Sequence, residues 1–198
     1  MSEDVTIAIL AGGLSSRMGS DKGLVELAGK PLIVHVVEQV SRLSLPIILI
    51  TNQPERYSFL GLPILPDIFT ERSSLNGLYS AVFYSRSDYT LCLACDMPFV
   101  NPALLEYLLS LRAGYDAVVP LVGGHPQALH ALYRRTCLAP MRRLLEQNRL
   151  KIRDLYAEVH TRWLDEDALR QYDPALTAFE NINTLEALRA AESKLTSR

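Results

Sequence analysis

Only three cysteines occur in 198 residues, an odd number that closes no disulfide framework. Two of them, Cys92 and Cys95, form a Cys-x-x-Cys pair, but the pair lies in an apolar run of strand character. Residues three apart on a strand point to opposite faces, and neither a second Cys pair nor a His cluster is there to complete a zinc site. Packing is the expected role of these thiols. A basic excess is lacking as well. The net charge of −2 argues against the positive face that a nucleic-acid-binding surface needs. Long apolar runs are missing: none approaches the ~20 residues of a membrane span, and Met1-Ser-Glu-Asp4 has no basic-then-apolar export character. The expectations are a cytoplasmic location and no nucleic-acid or membrane partner. No repeat or low-complexity linker divides the chain, so residues 1–198 are expected to form a single domain with a substantial core.

Glycine is sparse overall, ten residues, yet five of them fall within residues 12–29. The segment Leu10-Ala-Gly-Gly-Leu-Ser-Ser-Arg-Met-Gly-Ser-Asp-Lys22 follows the apolar run Val5–Leu10, which reads as a buried strand. Glycines let a backbone turn sharply and bring its N–H groups close to an anion, while Arg17 and Lys22 add positive charge. The stretch therefore reads as a phosphate cradle and a nucleotide site. Spacing excludes two common cradles. Gly13 and Gly19 are six apart and Ser20 follows with no lysine between, which is not a Walker A loop. The dinucleotide fingerprint Gly-x-Gly-x-x-Gly occurs nowhere in the chain.

Beyond this loop, strand and helix patterns alternate. The spacing of Leu32, Ile33, Val36, Val37, Val40 and Leu43 predicts a helix over 31–43, with Pro31 at its first position. Strands are expected at 46–50, 62–65 and 89–94, and helices at 75–86 and 101–112. Strands at 117–120 and 128–133 flank a turn at 123–126; then come a helix over 136–147, strands at 159–164 and 179–182, and a last helix near 184–194. This order implies an α/β protein with three layers, α/β/α, a largely parallel central sheet and a mixed C-terminal part. In open parallel sheets the ligand sits outside the carboxyl ends of the strands. Leu10 to Gly13, Asn52, Asp67 and Asp96 all fall at such ends.

The pattern Leu-Ala-Gly-Gly-x-x-x-Arg-Met-Gly-x-Asp-Lys, continued by Gly23-Leu-Val-Glu-Leu-Ala-Gly-Lys-Pro-Leu32, resembles the signature of nucleotidyltransferases with a Rossmann-like fold. Among them it is most similar to the molybdenum cofactor guanylyltransferase family. The similarity is dense over residues 5–35 and returns at 93–98, 123–134 and 179–186. It implies transfer of GMP from GTP to the terminal phosphate of molybdopterin, giving molybdopterin guanine dinucleotide and pyrophosphate, with Mg²⁺ as cofactor. Such a transfer is an in-line attack on the α-phosphate, in which the protein positions groups and stabilises charge. A phosphate-monoester acceptor is already anionic near neutral pH, so no general base is required.

On this resemblance, Leu10, Ala11, Gly12 and Gly13 hold the nucleotide, Lys22 is the cation at the α-phosphate, and Arg17 grips the β and γ oxygens. The plainer alternative for either cation is pairing with Asp21. Asp96, in Ala94-Cys-Asp-Met-Pro98, is the expected Mg²⁺ ligand and catalytic carboxylate; as an alternative it caps a helix, although Asn101-Pro102 offers its own cap. Asn52 and Asp67 are assigned to the nucleotide, Asp67 because a carboxylate accepts from both N1–H and the N2 amino group of guanine; otherwise both are turn residues. His125, in Gly-Gly-His-Pro-Gln127, and Asn181 and Asn183 are assigned to the acceptor. For Asn183 the resemblance implies metal ligation as the other functional role; it also fits a helix start with Glu186 three residues on, which makes Asn181 the better acceptor candidate. His35, His130 and His160 are expected to pack or face solvent, and Trp163 to lie in the core.

One stretch departs from the family. Where Gly-Pro-Leu-x-Gly is usual, this chain has Ser73-Ser-Leu-Asn-Gly77. That loop borders the base, so the change bears on base selectivity rather than on reaction type. Asp21-Lys-Gly-Leu24 favours the guanylyl enzyme over its cytidylyl relative. A CTP-dependent molybdopterin cytidylyltransferase and a sugar-phosphate nucleotidyltransferase stay open, as does a non-catalytic nucleotide-binding regulator, against which Lys22 and Asp96 together speak. Handing over a labile cofactor implies transient contacts with cofactor-biosynthesis proteins and recipient molybdoenzymes.

Overall fold

Val5–Leu10 is apolar but for Thr6, and a run without polar alternation is satisfied only in the middle of a sheet covered on both faces. In the computed structural model, which describes residues 4–12 and 21–196, this run is strand β1 and is buried along its whole length. It is followed by a small hairpin, β2 (Glu26–Leu27) and β3 (Lys30–Pro31), then by α1 (Leu32–Val40), β4 (Ile47–Ile50), β5 (Ile64–Leu65) and α2 (Ser74–Tyr84). Next come β6 (Tyr89–Ala94), α3 (Pro102–Ser110), β7 (Ala117–Val122), β8 (His125–Pro126), β9 (His130–Arg134) and α4 (Leu138–Glu146). The chain then forms β10 (Thr161–Leu164), α5 (Glu166–Arg170) and α6 (Leu185–Thr196).

The main sheet has the order β5-β4-β1-β6-β9-β7-β10, with β8 paired to β7. Strands β5, β4, β1 and β6 are mutually parallel, and β10 is parallel to β7. Strand β9 runs antiparallel to β6 and β7, which is the mixed part expected after residue 120. Alternate residues of the central strands serve the two faces. Ile7, Ile9, Leu91 and Leu93 pack with Ile33 and Val36 of α1 and Leu104 and Leu108 of α3. Ala8, Leu10 and Cys92 pack with Leu75 and Leu78 of α2 and Met141 and Leu144 of α4. Each fully buried Leu or Ile contributes about 1.5–3 kcal/mol, so these two layers hold the strand ends in register. Cys95 lies in the first cluster and Cys92 in the second, on opposite faces of the sheet. Among the described residues no helix is long and apolar enough to cross a membrane.

Four expectations need correcting. Helix α1 begins at Leu32, with Pro31 as its cap residue, and after Val40 tightens into a 3-10 turn at Ser41–Leu43 that ends on left-handed Ser44 (φ 53°). Residues 26–30, to which the pattern assigns no element, form with Pro31 a hairpin whose turn residues Ala28 and Gly29 have φ of 51° and 77°. Two positive φ values suit the twist of a tight hairpin, but alanine is an unusual first residue there, which hid the signal. Residues 179–182 form no strand: a 3-10 turn covers Thr177–Phe179, and Ile182 N–H donates to Asp96 O, because both edges of β6 are already taken by β1 and β9. Trp163 is 41% exposed, since β10 is the edge strand, and its indole meets Tyr156 edge-on at 4.9 Å. His130 is fully buried at the start of β9, its ring 4.7 Å from that of Phe179, with neither ring nitrogen hydrogen-bonded among the described residues.

Candidate active site

The chain leaves β1 toward β4 but leaves β6 toward the other side of the sheet, so the strand order reverses between β1 and β6. Connections diverge at such a point and open a crevice outside the carboxyl ends. A cavity of about 430 Å³ lies there, a size suited to a small-molecule ligand. It is lined by Leu10, Ala11 and Gly12 at the end of β1 and by Ala94 to Asp96 at the end of β6. Backbone hydrogen bonds extend the ladder past the strand ends: Ala11 N–H to Ile50 O at 2.9 Å, Cys95 N–H to Leu10 O at 3.2 Å, and Ala94 N–H to Leu129 O at 2.9 Å. Leu129 reaches this edge because β9 is reversed, which local patterning could not reveal.

Lys22 stands on one side of the cavity. Its Nζ donates to Asn183 Oδ1 and lies 3.4 Å from Asp96 Oδ2. Asp96 is 7% exposed; burial raises its carboxyl above the usual range, while the charge and hydrogen bond of Lys22 work against that rise. Neither residue is spent on capping. Asn101 caps α3, accepting from Ala103 and Leu104 N–H, and Thr184 Oγ1 accepts from Ala187 N–H at the start of α6. Asp21 does not pair with Lys22; its carboxylate takes the Tyr57 hydroxyl at 2.5 Å, the Gly23 N–H at 3.3 Å and Arg56 at 3.7 Å.

The opposite wall is built from the β4 and β5 ends and the start of α2. Asn52 and Asp67 lock each other: Asn52 Nδ2 donates to Asp67 Oδ2, and Asp67 N–H donates to Asn52 Oδ1, both at 2.9 Å. Burial raises the Asp67 carboxyl, and the Asn52 hydrogen bond opposes the shift. The other Asp67 oxygen lies 3.7 Å from where a Cβ on Gly77 would stand, and Gly77 lines the cavity without a side chain. Arg72, Ser73 and Ser74 complete this wall.

The residue that holds the wall up was not legible as functional. Asn76 is fully buried; its Nδ2 donates to Phe69 O at 2.6 Å and Glu71 O at 2.9 Å, and its Oδ1 accepts from Phe69 N–H at 3.2 Å. It thereby folds the loop after Asp67 onto the first turn of α2. Asn76→Ala strands these backbone groups, and we expect a loss of about 2–4 kcal/mol in unfolding free energy with a raised KM for nucleotide, read from urea titration and steady-state kinetics.

Other assigned residues lie elsewhere. Gly13 and Arg17 fall outside the described residues. His125 is exposed on the β7–β8 hairpin, whose turn is held by Gly123 N–H donating to Glu166, and it does not line the cavity. Asn181 is exposed, and among the described residues it is Asn183 rather than Asn181 that reaches Lys22.

A mainly parallel sheet covered by helices on both faces, with its cavity where strand order reverses, defines a Rossmann-like α/β protein. The chain belongs to the MobA-like NTP transferase domain family, whose model matches residues 7–163. It is accordingly an enzyme of the nucleotidyltransferase class. A probable molybdenum cofactor guanylyltransferase of Natranaerobius thermophilus is 34% identical, over 98% of each chain. The molybdenum cofactor guanylyltransferase of Desulfosudis oleivorans is 33% identical, over 96% of each. Among solved structures, molybdopterin-guanine dinucleotide biosynthesis protein A of Archaeoglobus fulgidus superposes with a TM-score of 0.86 at 28% identity, covering 98% of this chain and 100% of its own.

Proposed function

We propose that the protein transfers GMP from GTP to the terminal phosphate of molybdopterin, releasing pyrophosphate and forming molybdopterin guanine dinucleotide. The observation that carries this reading is the convergence of Asp96 and Asn183 on Lys22, with Lys22 and Asp96 lining the cavity between β1 and β6. An acceptor phosphate oxygen attacks the α-phosphorus, the bond to the β-phosphate oxygen breaks, and pyrophosphate leaves with that electron pair. Lys22 meets the charge that grows on the α-phosphoryl oxygens, and the N–H of Gly12, just past the β1 end, meets the phosphates. Gly13 and Arg17 take phosphate contacts on the strength of the motif.

Asp96 and Asn183 aim a carboxylate and an amide oxygen at one cationic group, and hard oxygen donors of this kind fit Mg²⁺. Among the described residues no group of three or more His, Cys, Asp or Glu offers an all-protein cage, which suits an ion that keeps waters and takes phosphate oxygens. When bound, Mg²⁺ supplies charge neutralisation of the triphosphate.

Asp67 supports guanine: while Oδ2 holds Asn52, Oδ1 stands on the Gly77 side of the wall, an acceptor for the N1–H and N2 edge. A second reading, CTP as donor, draws on the same wall: Arg72, Ser73 and Ser74 present hydrogen-bond donors that match O2 and N3 of cytosine. Incubating the protein with each labelled NTP, Mg²⁺ and molybdopterin separates the two. We expect GMP transfer with stoichiometric pyrophosphate; transfer from CTP alone would sink the guanine assignment. Release of the product to other cofactor-handling proteins follows from its lability.

A further inference from the structure

We propose that Tyr57 is a positioning residue for Lys22, acting through Asp21 to fix the turn from which the ammonium reaches the cavity. This rests on the reading of Lys22 as the cation of nucleotidyl transfer. Tyr57 is fully buried, and a buried phenol hydroxyl needs a partner. It donates to Asp21 Oδ1 at 2.5 Å across 36 residues of sequence, a charge-assisted bond of the strong kind. Asp21 in turn caps the single 3-10 turn Lys22–Leu24, accepting from Gly23 N–H at 3.3 Å. The phenol also presses on that turn directly. A Cβ on Gly23 would stand 2.8 Å from Tyr57 Oη and 3.2 Å from Cys95 Sγ, so residue 23 is held against both.

The other end of the brace is the opposite wall. Tyr57 N–H donates to Pro54 O at 3.1 Å, closing the 3-10 turn Pro54–Arg56 that directly follows the wall residues Thr51 to Gln53. Arg56 adds a hydrogen bond to Gln53 Oε1 at 3.1 Å and lies 3.7 Å from Asp21. One buried hydroxyl thus ties the lysine turn to the wall that carries Asn52. Catalysis by a placed cation depends steeply on that placement, a misplacement of about 1 Å costing up to ~10²-fold.

The test compares Tyr57→Phe, Asp21→Ala, their double variant and Asp21→Asn in the nucleotidyl-transfer assay. Tyr57→Phe and Asp21→Ala are each expected to lower kcat about tenfold with KM for nucleotide within about twofold. The double variant should be no worse than Asp21→Ala, and Asp21→Asn, whose amide oxygen still accepts, should keep most of the activity. A readout independent of turnover is the ¹³Cε–¹Hε resonance of Lys22 in lysine-labelled protein. It should move in Tyr57→Phe while those of Lys30, Lys151 and Lys194 stay in place, and should move little in Asp21→Asn. An unmoved Lys22 resonance, or a folded Tyr57→Phe with wild-type kcat, overturns the positioning role. If Tyr57→Phe does not fold, Asp21→Ala against Asp21→Asn decides by the same two readouts. Wild-type protein that releases no pyrophosphate from any nucleotide overturns the functional reading instead, and the resonance then still decides whether Tyr57 places Lys22.

Discussion

Asp96→Ala is expected to lower nucleotidyl transfer on the order of a thousandfold while the protein stays folded. The two halves of this expectation have separate causes. What Asp96 gives the fold is its backbone carbonyl, which accepts from Ile182 N–H at 2.9 Å and survives truncation of the side chain. The buried carboxylate is a cost to the fold: burial raises its pKa, and only Lys22 opposes that rise with a full charge. Truncation relieves the cost and leaves Lys22 on Asn183 alone. What is lost is the carboxylate that pairs with Lys22, and with it the charge that would hold Mg²⁺ against the triphosphate. Single-turnover pyrophosphate release, paired with a thermal melt, checks both halves. Activity within tenfold of wild type would remove Asp96 from the reaction; a collapsed melting temperature would mean that its carboxylate holds the fold after all.

The second large effect concerns stability and pH. Burial alone pushes the His130 imidazole down to about 4, from an ordinary value of 6.5. Between those values the unfolded chain binds a proton that the native state refuses, so stability falls as pH drops through the window. The loss amounts to about 3 kcal/mol between pH 7 and pH 4. His130→Leu removes the titrating group and still packs on Phe179, so its pH dependence should be flatter by that amount in urea titrations at the two pH values. Near pH 7 the variant should be at least as stable, because two buried ring nitrogens without partners among the described residues are gone. Equal slopes for both proteins would show that His130 gains a partner or solvent in solution.

These effects stand unevenly in relation to the chain's linear pattern. Asp96, Asp67 and Asn52 were legible as site residues because each follows an apolar run, and the end of a parallel strand is where such a sheet can meet a ligand. The glycine-rich stretch, most of it outside the described residues, was a candidate for a different reason: backbone chemistry near an anion demands small residues and mobile cations at short range. Asn183 was ambiguous because a residue before a helix has two possible partners, its own helix and whatever packs across from it. Thr184 resolves the ambiguity by taking the capping role, which leaves Asn183 for Lys22. Asn76 read as an ordinary helix residue, since its three backbone partners come from a loop whose path is not encoded in the helix.

By itself, then, the sequence determined the alternation of strands and helices, the central place of Val5–Leu10, and the family to which the chain belongs. Burial and turn preferences are local, so a local pattern suffices to express them. Which residues meet was decided only in three dimensions: Lys22 with Asn183 across 161 residues, Tyr57 with Asp21, Leu129 brought to the cavity by a reversed strand, and Trp163 left on an open edge. A hydrophobic period says that a side chain is covered but not by what. The partner depends on strand order, and strand order is settled by the packing of the whole sheet.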